Sequence, residues 1–159
     1  MKQQLVIPAL FLALLVGTPA FSADYQKGFD AAQRGDYATA LKEWKPLAEQ
    51  GDARAQFGLG KMYHRRQGVP RDYETAVKWY TLASEQGLAQ AQTSLGVMLT
   101  TGRGIGKSKT QAYMWWSIAA SQGNEKAMEL RDMIKKRMTP GQIAEAKRLA
   151  REWKKKHKK

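Results

Sequence analysis

The amino-acid sequence predicts an all-α fold, an α-solenoid of stacked antiparallel helix pairs, and three observations predict it. One stretch recurs at an offset of 36 residues: Ala55, Ala91 and Ala127 fall in step, as do Gly60 and Gly96, Ala40, Ala76 and Ala112, the aromatics Trp44, Tyr80 and Trp116, and the closing Gly51, Gly87 and Gly123. A period between roughly 20 and 50 residues marks an array whose units bury their apolar faces only by stacking. Within each unit the apolar residues return every three or four positions, the spacing of one helix face. Finally, the 159 residues include no cysteine, so no disulfide staples the fold and packing alone must hold it.

The first 22 residues stand apart from the array. Lys2 is their only charge; an apolar run over 5–16 follows, then Gly17-Thr18-Pro19 and the small-residue pattern Ala20-Phe21-Ser22. This is the anatomy of a cleaved secretory signal, with cleavage after Ser22. The run is shorter than the roughly 20 residues that cross a bilayer and contains Pro8, which argues against a membrane anchor. No cysteine follows it to carry a lipid, and no twin arginine precedes it. The expected location is periplasmic or secreted, in a bacterial cell envelope.

The first unit spans 23–52. Tyr25 to Arg34 reads as a helix with Gly28 in the place of Gly60 and Gly96, and Asp36 caps a second helix carrying Tyr37, Ala40, Leu41, Trp44 and Leu47 as one apolar stripe. Gly28 and Ala40 are 12 residues apart, against 16 for Gly60 and Ala76, so this unit's connector is four residues shorter. The second unit, 53–88, runs a helix to His64, a loop Arg65-Arg66-Gln67-Gly68-Val69-Pro70-Arg71, and a helix capped by Asp72 with Tyr73, Ala76, Val77, Tyr80 and Ala83 inward. In the third unit, 89–124, Ser108 takes the capping place of Asp72. Across 125–153 the pattern becomes an atypical pair: a helix from Glu125 keeps Ala127 but has Asp132 for the glycine, and a terminal helix starts on Thr139 and Pro140 with Ile143, Ala146, Ala150 and Trp153 on one face. Since no apolar residue follows Trp153, this helix is expected to fray there and leave 154–159 as a basic tail.

These residues carry a resemblance. The units at 53–88 and 89–124 resemble Sel-1-like repeats, the longer-looped subclass of the tetratricopeptide superfamily. The first unit is closer to a plain tetratricopeptide repeat in loop length, and Met138 to Ala146 is similar to the helix that closes such arrays. The likeness implies a right-handed α-solenoid with a C-terminal capping helix. It departs at Ser94, where Gly58 stands one unit earlier, and at Leu99 for Tyr63.

The resemblance also implies a surface, because in tetratricopeptide arrays the first helix of each unit lines a concave groove. By register those positions are Arg54, Phe57, Lys61, His64 and Arg65 in the second unit, Gln90, Thr93, Val97 and Thr100 in the third, and Lys126, Glu129, Met133 and Lys136 in the fourth. Apolar side chains such as Phe57 and Val97 suit a peptide-binding face, and the surrounding cations favour an acidic partner.

Chemistry finds little material. Gly106-Lys107-Ser108 ends like a phosphate-binding loop, but that motif needs a glycine where Thr101 stands and a preceding strand. The offset of 36 explains it as the inter-helix turn, with Gly104, Ile105, Lys107 and Ser108 matching Gly68, Val69, Arg71 and Asp72. The two histidines and scattered carboxylates offer no metal-ligand spacing and no catalytic constellation. The chain reads as a non-enzyme without cofactor or metal. Trp44, Tyr80 and Trp116 read as core; Trp79 and Trp115, rotated by about 100° from them, read as packing on neighbouring units.

Three readings remain, and salt dependence and loss of the tail separate the first two, since groove binding should survive removal of the tail and polyanion binding should not. The chain carries +13, and from Glu125 onward there are 13 basic and 5 acidic residues, against 13 and 9 between 23 and 124. The leading reading is an exported adaptor that binds a protein or peptide in its groove. The second is an envelope binder whose Lys154, Lys155, Lys156, Lys158 and Lys159 rest on anionic lipid or another polyanion. Nucleic acid is a distant third: the charge suits it, but the export signal argues against access and no recognition motif appears.

Overall fold

Of the eight helices among the described residues, seven open on a side chain that accepts a hydrogen bond from their own first turn. Each such cap contributes about 1 kcal/mol and fixes where a helix starts. The computed structural model describes residues 23–157; the expected signal segment, Lys158 and Lys159 lie outside them. The helices are α1 (Tyr25–Gln33), α2 (Tyr37–Glu49), α3 (Ala53–Arg65), α4 (Tyr73–Glu85), α5 (Ala89–Thr101), α6 (Lys109–Ala120), α7 (Glu125–Lys135) and α8 (Pro140–Lys156), and no strand occurs among the described residues. Asp36, Asp72 and Ser108 cap as the sequence predicts, and Thr139 forms a full capping box with Gln142. The second helices of the first three pairs stop at Gly51, Gly87 and Gly123, whose φ of +98°, +90° and +86° lie in the left-handed region that glycine enters without strain.

Three hairpins, α1–α2, α3–α4 and α5–α6, stack so that each second helix also packs on the next first helix. The recurring glycines permit it. A Cβ on Gly28 would meet the Trp44 indole at 2.6 Å, one on Gly60 the Tyr80 ring at 2.6 Å, and one on Gly96 the Trp116 indole. These contacts leave no room for a side chain, so each unit seats its large aromatic in the notch of its own first helix. Trp44 and Trp116 then donate their indole N–H to the carbonyls of Tyr25 at 3.2 Å and Thr93 at 3.0 Å, equivalent positions in two units. Ala40, Ala76 and Ala112 are fully buried.

A polar ladder runs through the same joints. Buried Gln56 donates to the Ala48 carbonyl and takes a hydrogen bond from Gln86, and Gln92 does the same with Ser84 and Gln122. Satisfied in this way, a buried amide costs little and fixes the stacking register. Glu43 is likewise buried, accepting from the Asp24 backbone N–H at 3.1 Å and pairing with Lys27 at 2.6 Å; the Lys27 hydrogen bond holds its pKa below the usual carboxylate value.

The C-terminal end differs from expectation in two respects. α8 packs along α6 rather than back along α7, so it covers the third hairpin instead of completing a fourth. Its Trp153 sets edge-on against Trp115 at 5.8 Å and donates to the Glu85 carboxylate at the end of α4 at 2.9 Å. Trp115 is buried beneath it, whereas Trp79, its counterpart one unit earlier, stays half-buried against the first-unit core. The expected fraying after Trp153 is also corrected: α8 continues to Lys156. The His157 ring stacks on Trp153 at 4.0 Å, Nδ1 donates to the Trp153 carbonyl and Nε2 lies 3.4 Å from Glu85, which holds the last turn.

Candidate functional site

The α3 residues expected on the binding face lie in a row, and aromatic faces support them. The Arg54 guanidinium stands 4.3 Å over the Tyr25 ring and pairs with Asp52. Phe57 packs on Tyr80 at 5.8 Å, and the Lys61 ammonium lies 5.7 Å from the centre of the Phe57 ring. His64 sets its edge against both Tyr73 and Tyr80, with Nδ1 3.3 Å from the Tyr80 hydroxyl. Arg65 is exposed at the end of the row. These side chains share one environment.

Elsewhere the expected positions contribute less. Gln90 is exposed; Thr93 and Thr100 spend their hydroxyls on the carbonyls of Ala89 and Val97; Val97 is half-buried against the core. On α7, Lys126 and Glu129 pair with each other at 3.0 Å, Met133 is 55% exposed and Lys136 is exposed at the helix end. Lys154, Lys155 and Lys156 are exposed on α8.

Two features escaped the residue-by-residue reading. The first is a cleft of about 260 Å³ between α1 and α3, with Phe29 and Ala32 on one side, Tyr37 and Trp44 beneath, and Lys61 and Arg65 on the other. No acidic side chain lines it. The second is a pair of cations at Tyr73: the Arg71 guanidinium lies 5.8 Å and that of Arg103 5.5 Å from the Tyr73 ring centre. Arg103 arrives there because the loop of the third unit sits on the start of α4, where a Cβ on Gly104 would run into the Tyr73 backbone. The sequence signal was available, since Gln67 and Arg103 share the offset of 36, as do Tyr37 and Tyr73.

Electrostatics follow from this crowding. Burial holds the His64 pKa below its ordinary value, with Arg65, Arg103 and Arg71 pushing the same way. Burial also lowers Lys61, aided by Arg65. Tyr80 is driven well above the usual phenol value by burial, against the pull of Arg65 and a hydrogen bond with Ser94. Among the described residues no cluster of three or more His, Cys, Asp or Glu side chains is placed to hold a metal ion, and no helix is long and apolar enough to cross a membrane.

The family model for the Sel1 repeat matches residues 53–88 and 89–124. A Sel1 repeat protein from Oxalobacter formigenes has a similar structure, 35% identical over 70% of this chain and 90% of its own, with a TM-score of 0.61. The chain belongs to the Sel1 repeat family. A protective antigen present in uropathogenic Escherichia coli strains, displaying an SLR fold, is 28% identical over 82% of this chain with a TM-score of 0.79. The Sel1 chain described here spans 29% of that antigen's length. No curated protein matches it. Sel1 repeat proteins are generally protein-interaction scaffolds, and the fold is typically non-catalytic.

Proposed function

We propose that this Sel1 repeat chain is an exported, non-catalytic scaffold that holds a protein or peptide, acidic in character, on the face formed by its first helices. The observation that carries the reading is the α3 row: Phe57, Lys61, His64 and Arg65 present a half-buried aromatic and cations side by side, with no carboxylate among them. Such a face binds through an apolar contact and selects by charge. Export is proposed from the first 22 residues alone, and a mature N-terminus at Ala23 is expected by mass spectrometry of the protein recovered from its producing cells. A photo-crosslinking residue placed at Phe57 or Val97 should then capture a defined partner that the same residue at exposed Lys78 on α4 does not. Capture from α4 alone would place binding on the other side of the array.

A second reading has its own support. Lys154, Lys155 and Lys156 form an exposed basic run on the last turns of α8. Each cation near an anionic surface contributes on the order of 1 kcal/mol before screening. If that surface is the partner, substituting Lys154–Lys156, Lys158 and Lys159 by Gln should abolish salt-sensitive binding to anionic vesicles. Unchanged vesicle binding would leave these lysines a solubilising role.

A further inference from the structure

The cleft between α1 and α3 is not a general property of the repeat. Gly28 and Gly60 occupy equivalent places, so Ala32 stands where His64 stands in the next unit. At that second junction the His64 ring fills the space, edge-on to Tyr73 and Tyr80. At the first junction a methyl group leaves it open, and about 260 Å³ of space remains. That is below the roughly 300–1,000 Å³ of pockets that enclose whole ligands. It is room for one side chain.

We propose that this cleft receives a glutamate side chain of an acidic partner peptide, its methylene stem against Phe29 and Tyr37 and its carboxylate between Lys61 and Arg65. The two cations have no carboxylate partner among the described residues, and none lines the cleft. Burial of Lys61, with repulsion from Arg65 behind it, already lowers the Lys61 pKa, a penalty that a bound anion relieves. Two uncharged amides also line the cleft, Gln67, which donates to the Tyr37 hydroxyl at 2.8 Å, and Gln33, which is exposed, so the cations dominate recognition of an anion. The aromatic walls select a carboxylate on a carbon stem over a phosphate, which has no stem to bury.

The inference rests on the scaffold reading above, and its test separates the two. The full chain, ¹⁵N-labelled, is titrated with hexaglutamate, hexaglutamine and tripolyphosphate while backbone amide shifts are followed by NMR. Saturable shifts at 29–33 and 61–65 are expected with hexaglutamate alone. Ala32→His, which rebuilds the plug of the second junction, should weaken them at least about tenfold, as should Lys61→Gln with Arg65→Gln. If Ala32→His fails to fold by circular dichroism, the glutamine pair, altered at accessible side chains, carries the test. Shifts confined to 154–157, or equal binding of tripolyphosphate, overturn the proposal. Shifts at 90–100 with a silent cleft overturn it while leaving the scaffold reading standing; no shift on any first helix defeats both.

Discussion

The two inter-repeat junctions are built from the same parts and finished differently. At the first, Trp44 sits between Gly28 and Gly58, Gln67 bonds to the Tyr37 hydroxyl, and Ala32 leaves a cleft. At the second, Tyr80 sits between Gly60 and Ser94, Arg103 lies over the Tyr73 face, and His64 closes the gap. Glycine notches and buried alanines keep the spacing; His64 in the place of Ala32 and Arg103 in the place of Gln67 change the rim from open to filled. Repetition fixes the frame, and variation at the rim makes a site.

The largest expected difference concerns the notch. A Cβ at Gly58 would lie 2.6 Å from the Trp44 ring, whereas the second junction accepts Ser94 beside the smaller Tyr80. Gly58→Ser should therefore destabilise by about 1–3 kcal/mol through overpacking. Ser94→Gly should cost nearer 1 kcal/mol, from one hydrogen bond and a helical glycine. Thermal melts of both variants measure this; equal losses would mean that the junctions do not differ in packing.

A smaller contrast lies in the tyrosines. Tyr37→Phe removes the acceptor of the Gln67 amide and should cost about 0.5–1.5 kcal/mol. Tyr73 offers its ring rather than its hydroxyl to Arg71 and Arg103, so Tyr73→Phe should leave the urea midpoint almost unchanged. A Tyr73→Phe loss as large as that of Tyr37→Phe would refute the distinction.

The smallest effect is a pH dependence near neutrality, which the second junction owes to His64. His64 faces Arg65, Arg71 and Arg103 and the rings of Tyr73 and Tyr80, and its folded pKa lies below the ordinary 6.5. Below about pH 6.5 the unfolded chain takes up a proton that the folded chain resists, so stability falls as pH drops through this range. The loss levels off once pH passes the folded pKa. His64→Gln should remove that slope, read as the wild-type Tm minus the variant Tm between pH 7.5 and 5. Identical profiles would mean that neither its burial nor the three arginines disfavour its protonation.

Much of this architecture is legible in the sequence, because caps and notches are properties of single residues in register. Asp36, Asp72, Ser108 and Thr139 mark helix starts, and the shared offset of Gly60 and Gly96 identifies close approach. Gln56 and Gln92, and Gln86 and Gln122, share the same offset, but an amide in register does not by itself declare whether it is buried, so the ladder was not legible. The placement of α8 was not legible. Ile143, Ala146, Ala150 and Trp153 declare a buried face without naming the helix that buries it. The cleft was hidden for another reason: it is an absence, visible only when Ala32 is aligned with His64 across connectors of unequal length.

The contact between Trp153 and Glu85 makes α8 a ruler. It lies on α6 yet closes on the end of α4, one repeat back, so it measures a fixed distance along the array. If the third repeat were duplicated, α8 would lie on the added helix and Trp153 would come to the end of the original α6, where Ser121 occupies the place of Glu85. The anchor would be gone although every neighbouring pair of helices remained intact. An array of this kind is free to lengthen between its middle repeats only if the copy that ends up before the last one carries the acid. What one carboxylate records is thus the identity of the repeat before the last, at a position that no single repeat needs for its own packing.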